Sequence, residues 1–400
     1  MARNRASKNA RCPMPNAQRN TPVTAPPVRH WALSTWHWAL LLVALVVAGP
    51  VSAVRAEPPS PILPKMVTPQ TVKSIGRGLN YLAKTQRPDG SWLNSGGYGS
   101  YPAVMTALSG MAMMAGGSTP ETGPYSRYVT RAMTYLLRIA KSEKDGMICG
   151  PGSESRSMYG HGFAMLFLAQ CAGTEISKEY EKDIRDVLTK AIAVTVTAQS
   201  DLGKEAHHAG GWIYTPNSNG DEGSVTVTQL QALRACRNAG IKVPTSTIDR
   251  AVAYLKYCQM SDGGICYSAR SRGSSRPAIS AAAIACFYAA GVYDRKTGGK
   301  GGEAEMVEKL VKYVRSNVGV AANNAWGGHY FYTHFYLAQA WYQRGGEDWK
   351  TYYPQIRDRL IQSQGPDGSW NGDNVGTTYG TAIGTIILQL PYNYLPICQK

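Results

Sequence analysis

No apolar run in this 400-residue chain is longer than the 11 residues from Trp38 to Ala48. A bilayer core of about 30 Å takes about 20 such residues in a helix, so the sequence holds no comfortable membrane span. Charge is also scarce, at 17% of residues, and the formal +16 is unevenly placed. Residues 1–56 carry seven basic side chains (Arg3, Arg5, Lys8, Arg11, Arg19, Arg29, Arg55) and no acidic one, which leaves 35 basic against 26 acidic residues, or +9, for the rest. That excess is scattered rather than gathered into a stripe, which argues against nucleic acid as a partner. With 44% apolar residues the chain can fill a large core, and general disorder is excluded as well.

The basic lead and the short apolar run are followed by Gly49-Pro50 and the small residues Ser52, Ala53 and Ala56, the pattern of an export signal cleaved after Ala53 or Ala56. The expected location is exported, periplasmic or secreted; left uncleaved, the same segment would be an N-terminal anchor and the one route to membrane association. Residues 57–67, with Pro58, Pro59, Pro61 and Pro64, form a stiff spacer. Beyond residue 56 there are seven cysteines, which an oxidising compartment allows to pair. Their number is odd, so at least one stays free or pairs between chains. Cys171, Cys236 and Cys286 lie in Ala/Leu-rich helical runs and are expected as small buried apolar residues. Cys149, Cys258 and Cys266 lie near turns and are the better candidates for a bridge; the spacing leaves their connectivity open.

Internal repetition organises the remainder. The segment Gln86-Arg87-Pro88-Asp89-Gly90-Ser91-Trp92 returns as Gln364-Gly365-Pro366-Asp367-Gly368-Ser369-Trp370. Weaker copies stand at residues 145–149, 210–214, 262–266 and 325–328, so the chain holds six units. Before each turn runs a segment of helical period, such as Val72, Ile75, Leu79 and Leu82, with Thr68-Pro69 as a plausible helix start. After each turn comes a run dense in Ala, Leu, Met and Tyr, expected to stop at Gly116-Gly117, Gly173, Gly240, Gly291, Gly345-Gly346 and Pro391. Six hairpins, each with one polar-faced and one apolar helix, bury all their apolar helices by closing into a ring. The expected fold is all-α, an α/α toroid of six helical hairpins over residues 68–395. Trp92 and Trp370 are expected to be buried staples on the preceding helix.

These turns resemble the prenyltransferase and squalene-cyclase repeat superfamily, whose repeats carry a Gln followed by Asp-Gly-Ser/Gly-Trp. The run Met158–Ala169, together with the export signal, is similar to exported members of that superfamily from planctomycete-like bacteria. The resemblance implies a central cavity lined by the N-terminal ends of the inner helices. An apolar or isoprenoid small molecule, a peptide or a glycan would bind there, with no cofactor and no metal. The chemical motifs of the known branches are missing. The acid of an Asp-x-Asp-Asp cyclase motif falls on Ser224, no Asp-x-Cys zinc pair occurs, and neither does the complement-type thioester sequence.

Tyr159, His161, Glu222, Arg276, Tyr332, His334 and Tyr379 come from five repeats, and each begins an inner helix or lies in the turn before it. Ring closure is expected to bring them into one concavity as ligand contacts, where helix N-termini and Arg276 favour an anionic or carbonyl-bearing group. His161 and His334 could also converge with Glu222. Two enzymatic alternatives stand beside the binding reading. One is an isoprenoid-handling transferase or cyclase with a divergent site, using Glu222 or Asp221. The other is a carbohydrate-active enzyme, using carboxylates among Asp221, Glu222 and Asp373. Arg270, Arg272 and Arg276 would suit an anion, although the run Ser268–Arg276 also has the composition of a mobile, solvated loop.

Overall fold

The computed structural model describes residues 62–150, 152–201, 209–289, 303–321 and 329–399. The export segment, residues 57–61 of the proline spacer, His207-His208, Gly291 and the repeat copy at 325–328 lie outside the described residues. The described residues form twelve α-helices: α1 (Pro69–Thr85), α2 (Pro102–Ala115), α3 (Ser126–Ser142), α4 (Ser157–Ala172), α5 (Lys178–Ala198), α6 (Gly223–Asn238), α7 (Thr245–Tyr257), α8 (Pro277–Ala289), α9 (Glu303–Asn317), α10 (Tyr330–Arg344), α11 (Gly346–Ser363) and α12 (Thr377–Gln389). None of these helices is long and apolar enough to cross a membrane.

The even-numbered helices touch in sequence from α2 to α12, and α12 packs back on α2, so the inner ring is closed. The odd-numbered helices lie outside. Pattern decides which is which. In α1 the buried positions are Thr71, Ser74, Ile75, Gly78, Leu79 and Leu82, one stripe at helical spacing that serves a helix with one wet face. In α2 every residue from Ala103 to Ala115 is buried, as a helix surrounded by others requires. The α/α toroid of six hairpins is therefore the observed fold. Thr68 opens α1 as expected: its hydroxyl accepts from Thr71 N at 3.2 Å, Thr71 Oγ1 accepts from Thr68 N at 3.1 Å, and Pro69 follows.

The repeated turns work as staples. Trp92 Nε1 donates to the Leu82 carbonyl and Trp370 Nε1 to the Leu360 carbonyl, each at 2.8 Å, and both rings are buried. The turn glutamine does something the periodicity alone does not show: it ties each turn to the next outer helix. Gln86 Nε2 donates to Gly90 O and to Tyr128 O of α3, and Gln364 Nε2 to Gly368 O and to Ser74 O of α1. Gln199 and Gln259 repeat the pattern onto α7 and α9. Glycine is required in these turns, because Gly90 and Gly368 both have φ +93° and a Cβ there would meet the carbonyl oxygen of Arg131 or Arg77 at 2.3 or 2.6 Å.

Helix ends follow expectation at Gly117, Gly240 and Gly345, which have φ of 88°, 74° and 70°. They depart from it at Gly173, whose φ of −81° is ordinary, and at Pro391, which sits inside a short 3-10 turn that continues α12. The C-terminal segment then lies against α6 and α10; Ile397 N donates to Gln170 Oε1 of α4, and Gln343 Nε2 of α10 donates to Ile397 O.

Candidate functional site

The N-terminal ends of the inner helices gather at one end of the toroid, and their free N–H groups have to be satisfied there. The following repeat supplies the partner. Glu154, in the turn before α4, caps α2 by accepting from Ala103 N at 2.6 Å. Met158 N of α4 donates to Tyr214 O, and Gly223 N of α6 donates to Tyr267 O. Asp373 accepts from Phe331 N and Tyr332 N of α10 at 3.0 and 2.9 Å, and Ser95 Oγ accepts from Thr377 N of α12.

Inside this collar lies a cavity of about 360 Å³ to which all six inner helices or their preceding turns contribute. Val104, Met105, Phe163 and Ile279 give it apolar surface, Tyr101, Tyr159, Tyr332 and Tyr379 line its walls, and Tyr98 and Tyr267 are partly exposed. Two cations stand over tyrosine rings: Arg156 at 4.5 Å from the Tyr214 centroid and Arg276 at 5.9 Å from that of Tyr267. Tyr214 and Tyr267 hydrogen-bond to each other through their hydroxyls.

Two carboxyls share the wall, the buried Glu222 and the half-buried Asp373. Glu222 is the N-cap of α6: its Oε2 accepts from Val225 N at 2.8 Å and from Ser224 Oγ at 2.7 Å, with Tyr159 OH at 3.4 Å. Tyr159 OH also hydrogen-bonds to Ser224 Oγ, so Tyr159, Ser224 and Glu222 form one chain along the wall. Burial pushes the Glu222 carboxyl above the usual range against the pull of these donors. Burial likewise raises Asp373, although the backbone N–H groups of Tyr332 and Phe331 oppose it. The phenols of Tyr159, Tyr332 and Tyr379 are driven well above 10 by desolvation.

Five of the seven expected residues, Tyr159, Glu222, Arg276, Tyr332 and Tyr379, therefore share one concavity. His161 and His334 do not, and they do not converge with Glu222. His161 Nδ1 accepts from Ile148 N at 3.2 Å while Nε2 faces Ala191 O and Thr195 Oγ1 of α5. It does for its turn what Thr106 and Thr381 do for Trp92 and Trp370. His334 turns to α11, with Nδ1 3.0 Å from Tyr352 OH. Asp221 also leaves the cavity: Tyr254 OH and Ala269 N both donate to its Oδ2. The run Ser268–Arg276 is pinned rather than loose, since Arg272 donates to Tyr257 O and Gln259 O. Arg156, Tyr267 and His329 line the cavity without having been singled out. Arg156 and His329 are N-cap residues, as are Tyr101 and Glu222, and that shared register is the signal that identifies them. Among the described residues no group of three His, Cys, Asp or Glu side chains is placed to hold a metal.

No protein-family model matches the chain, and no curated protein is similar to it in sequence. Solved structures do resemble it in fold. A type II terpene cyclase from Scytonema, in complex with the product merosterolic acid A, superposes with a TM-score of 0.51 at 14% identity, covering 81% of this chain and 97% of that one. An α-1,6-mannanase from Salegentibacter gives 0.57 at 11% identity, covering 81% and 99%. An unsaturated glucuronyl hydrolase specific for heparin gives 0.55 at 11%, covering 80% and 96%. Identities this low show a shared toroid, and cyclases and carbohydrate-active enzymes both have it.

Proposed function

We propose that this is an exported toroid protein that binds one amphipathic small molecule in its central cavity, with a ring-bearing or apolar body among the tyrosines and an anionic or carbonyl group between Arg156 and Arg276. The observation that carries this reading is the lining itself: apolar surface, tyrosine walls and two arginines contributed by separate repeats around one axis. Mature protein on this reading begins near Val54 or Glu57.

A second reading, catalysis by a carboxylic acid, is supported by the Tyr159–Ser224–Glu222 chain. Glu222 is a buried carboxyl whose protonated form burial favours, and the resemblance of the turns would put a cyclase acid at its hydrogen-bonded neighbour Ser224. A terpenoid and a glycan substrate both remain compatible with it, since Asp373 stands in the same cavity.

The test uses anilinonaphthalene sulfonate, an aromatic anion, as the probe. Wild-type protein binds it with a fluorescence rise, Arg156→Ala/Arg276→Ala weakens binding about tenfold or more, and Tyr159→Phe leaves binding within about threefold. Equal binding by the arginine variant and the wild type would remove the cavity as the anion site. Native mass spectrometry of freshly purified protein then identifies whatever occupies the cavity.

A further inference from the structure

The turn between α7 and α8 brings two cysteines together. Cys258 is the C-cap residue of α7. Cys266 N donates to the Cys258 carbonyl at 3.0 Å, and Gln259 pairs with Ile265 within the same hairpin. The two thiols are near enough to influence each other's charge, and both side chains are buried. Cys266 Sγ donates to the Ser268 carbonyl at 3.3 Å within the same turn, whereas Cys149 turns to the Ser157 carbonyl, Cys171 to the Met114 sulfur and Cys286 to the Val227 carbonyl.

This hairpin is continuous with the cavity wall. Cys266 pairs with Ser275, Arg276 N donates to Ile265 O at 2.7 Å, and both Tyr267 and Arg276 line the cavity. We propose that Cys258 and Cys266 close a disulfide that locks the α7–α8 turn, and with it one side of the mouth. The proposal rests on the hairpin and stands whether or not the cavity binds the ligand class suggested above.

The oxidant is a disulfide donor, such as glutathione disulfide or a thiol oxidoreductase. Before α8 packs either thiol of the turn can open the exchange, here Cys266. Its thiolate, formed by loss of a proton to solvent, attacks one donor sulfur, forms a mixed disulfide and expels one donor thiolate. The Cys258 sulfur, after losing its own proton, then attacks Cys266 Sγ and expels the second. The two released thiolates take up the two protons, so the donor gains two electrons and the cysteines lose two. Because both sulfurs are buried in the finished fold, the exchange belongs to folding, before α8 packs.

The sequence makes the test clean. Lys256 and Arg270 bracket a tryptic peptide, Tyr257–Arg270, that holds both cysteines and no other. Full-chain protein folded in a glutathione redox buffer is treated with iodoacetamide and digested without reductant. The expected result is this peptide two hydrogens lighter and unalkylated, in about tenfold excess over its doubly alkylated form, while peptides holding Cys149, Cys171 and Cys286 are alkylated. A doubly alkylated peptide, or one joined to another cysteine peptide, overturns the proposal. A thermal scan supplies the second measurement: reductant lowers the midpoint of wild type and leaves C258S/C266S unmoved, and an equal fall in both overturns it.

Discussion

Glu154 offers a direct test of how the collar of caps is held. Its carboxyl is 1% exposed; Oε1 caps α2 through Ala103 N, while Oε2 is buried without a hydrogen-bond partner. Burial pushes this carboxyl from 4.5 up to about 7. A carboxyl raised by folding is bound to its proton more tightly in the native state. Its favourable contribution is therefore complete below pH 4.5 and is lost as pH rises through 7. Between pH 5 and pH 8 that loss amounts to about 2–3 kcal/mol at about 1.4 kcal/mol per unit. Glu154→Gln keeps an acceptor oxygen for Ala103 N and removes the titration. Urea unfolding at a series of pH values measures the difference. Wild type is expected to lose about 2–3 kcal/mol relative to the variant on going from pH 5 to pH 8. Parallel profiles would refute the reasoning, because they would mean that the carboxyl is ionised in the fold at little cost.

The remaining predictions concern the staples and turns. His161 is lowered by burial from 6.5 to about 4, so its contribution is present above pH 6.5 and lost as pH falls toward 4. His161→Thr, which installs the residue type of positions 106 and 381, should flatten the acid side of a plot of melting temperature against pH. Trp370→Ala should lower urea stability by about 3–5 kcal/mol, and a loss below about 1 kcal/mol would deny the staple. Gly368→Ala should destabilise by more than about 1 kcal/mol, since a Cβ there meets Arg77 O at 2.6 Å with φ at +93°. Gly76→Ala, with nothing within 4 Å of the new Cβ, should instead stabilise α1 by about 0.5–1 kcal/mol, and differential scanning calorimetry separates the two signs.

The ring was legible in the sequence because its turns are made of groups that satisfy backbone atoms at fixed places: a glutamine amide, a glycine with positive φ and an indole N–H. Facing within the inner helices was less legible. Tyr159, Tyr332 and Tyr379 stand three residues past their N-caps, whereas His161 and His334 stand five past. Two residues turn a helix by about 200°, which is enough to carry a side chain from the cavity to the outer helix. Counting from the N-cap instead of from the nearest turn separates the tyrosines from the histidines. The same count finds Arg156 and His329, which carry no distinguishing residue type. Asp221 and Glu222 are neighbours that face different ways because extended backbone precedes α6, and one residue exchanges the loop side for the cavity side.

The collar also bears on how such a protein can change in size. An open solenoid can lose or gain a unit at its end, where a terminal unit seals the stack. Here Ser95 of the first hairpin accepts from the start of α12, and Gly96 and Gly97 donate to Val375 and Asn374, so the last hairpin borrows its seal from the first. The circuit has no terminal unit. Removing one hairpin would not leave a shorter stack with an intact edge; it would bring together a donor and a recipient cut for other neighbours. In this ring the number of hairpins is therefore tied to its seams, whereas the side chains that face the axis are not.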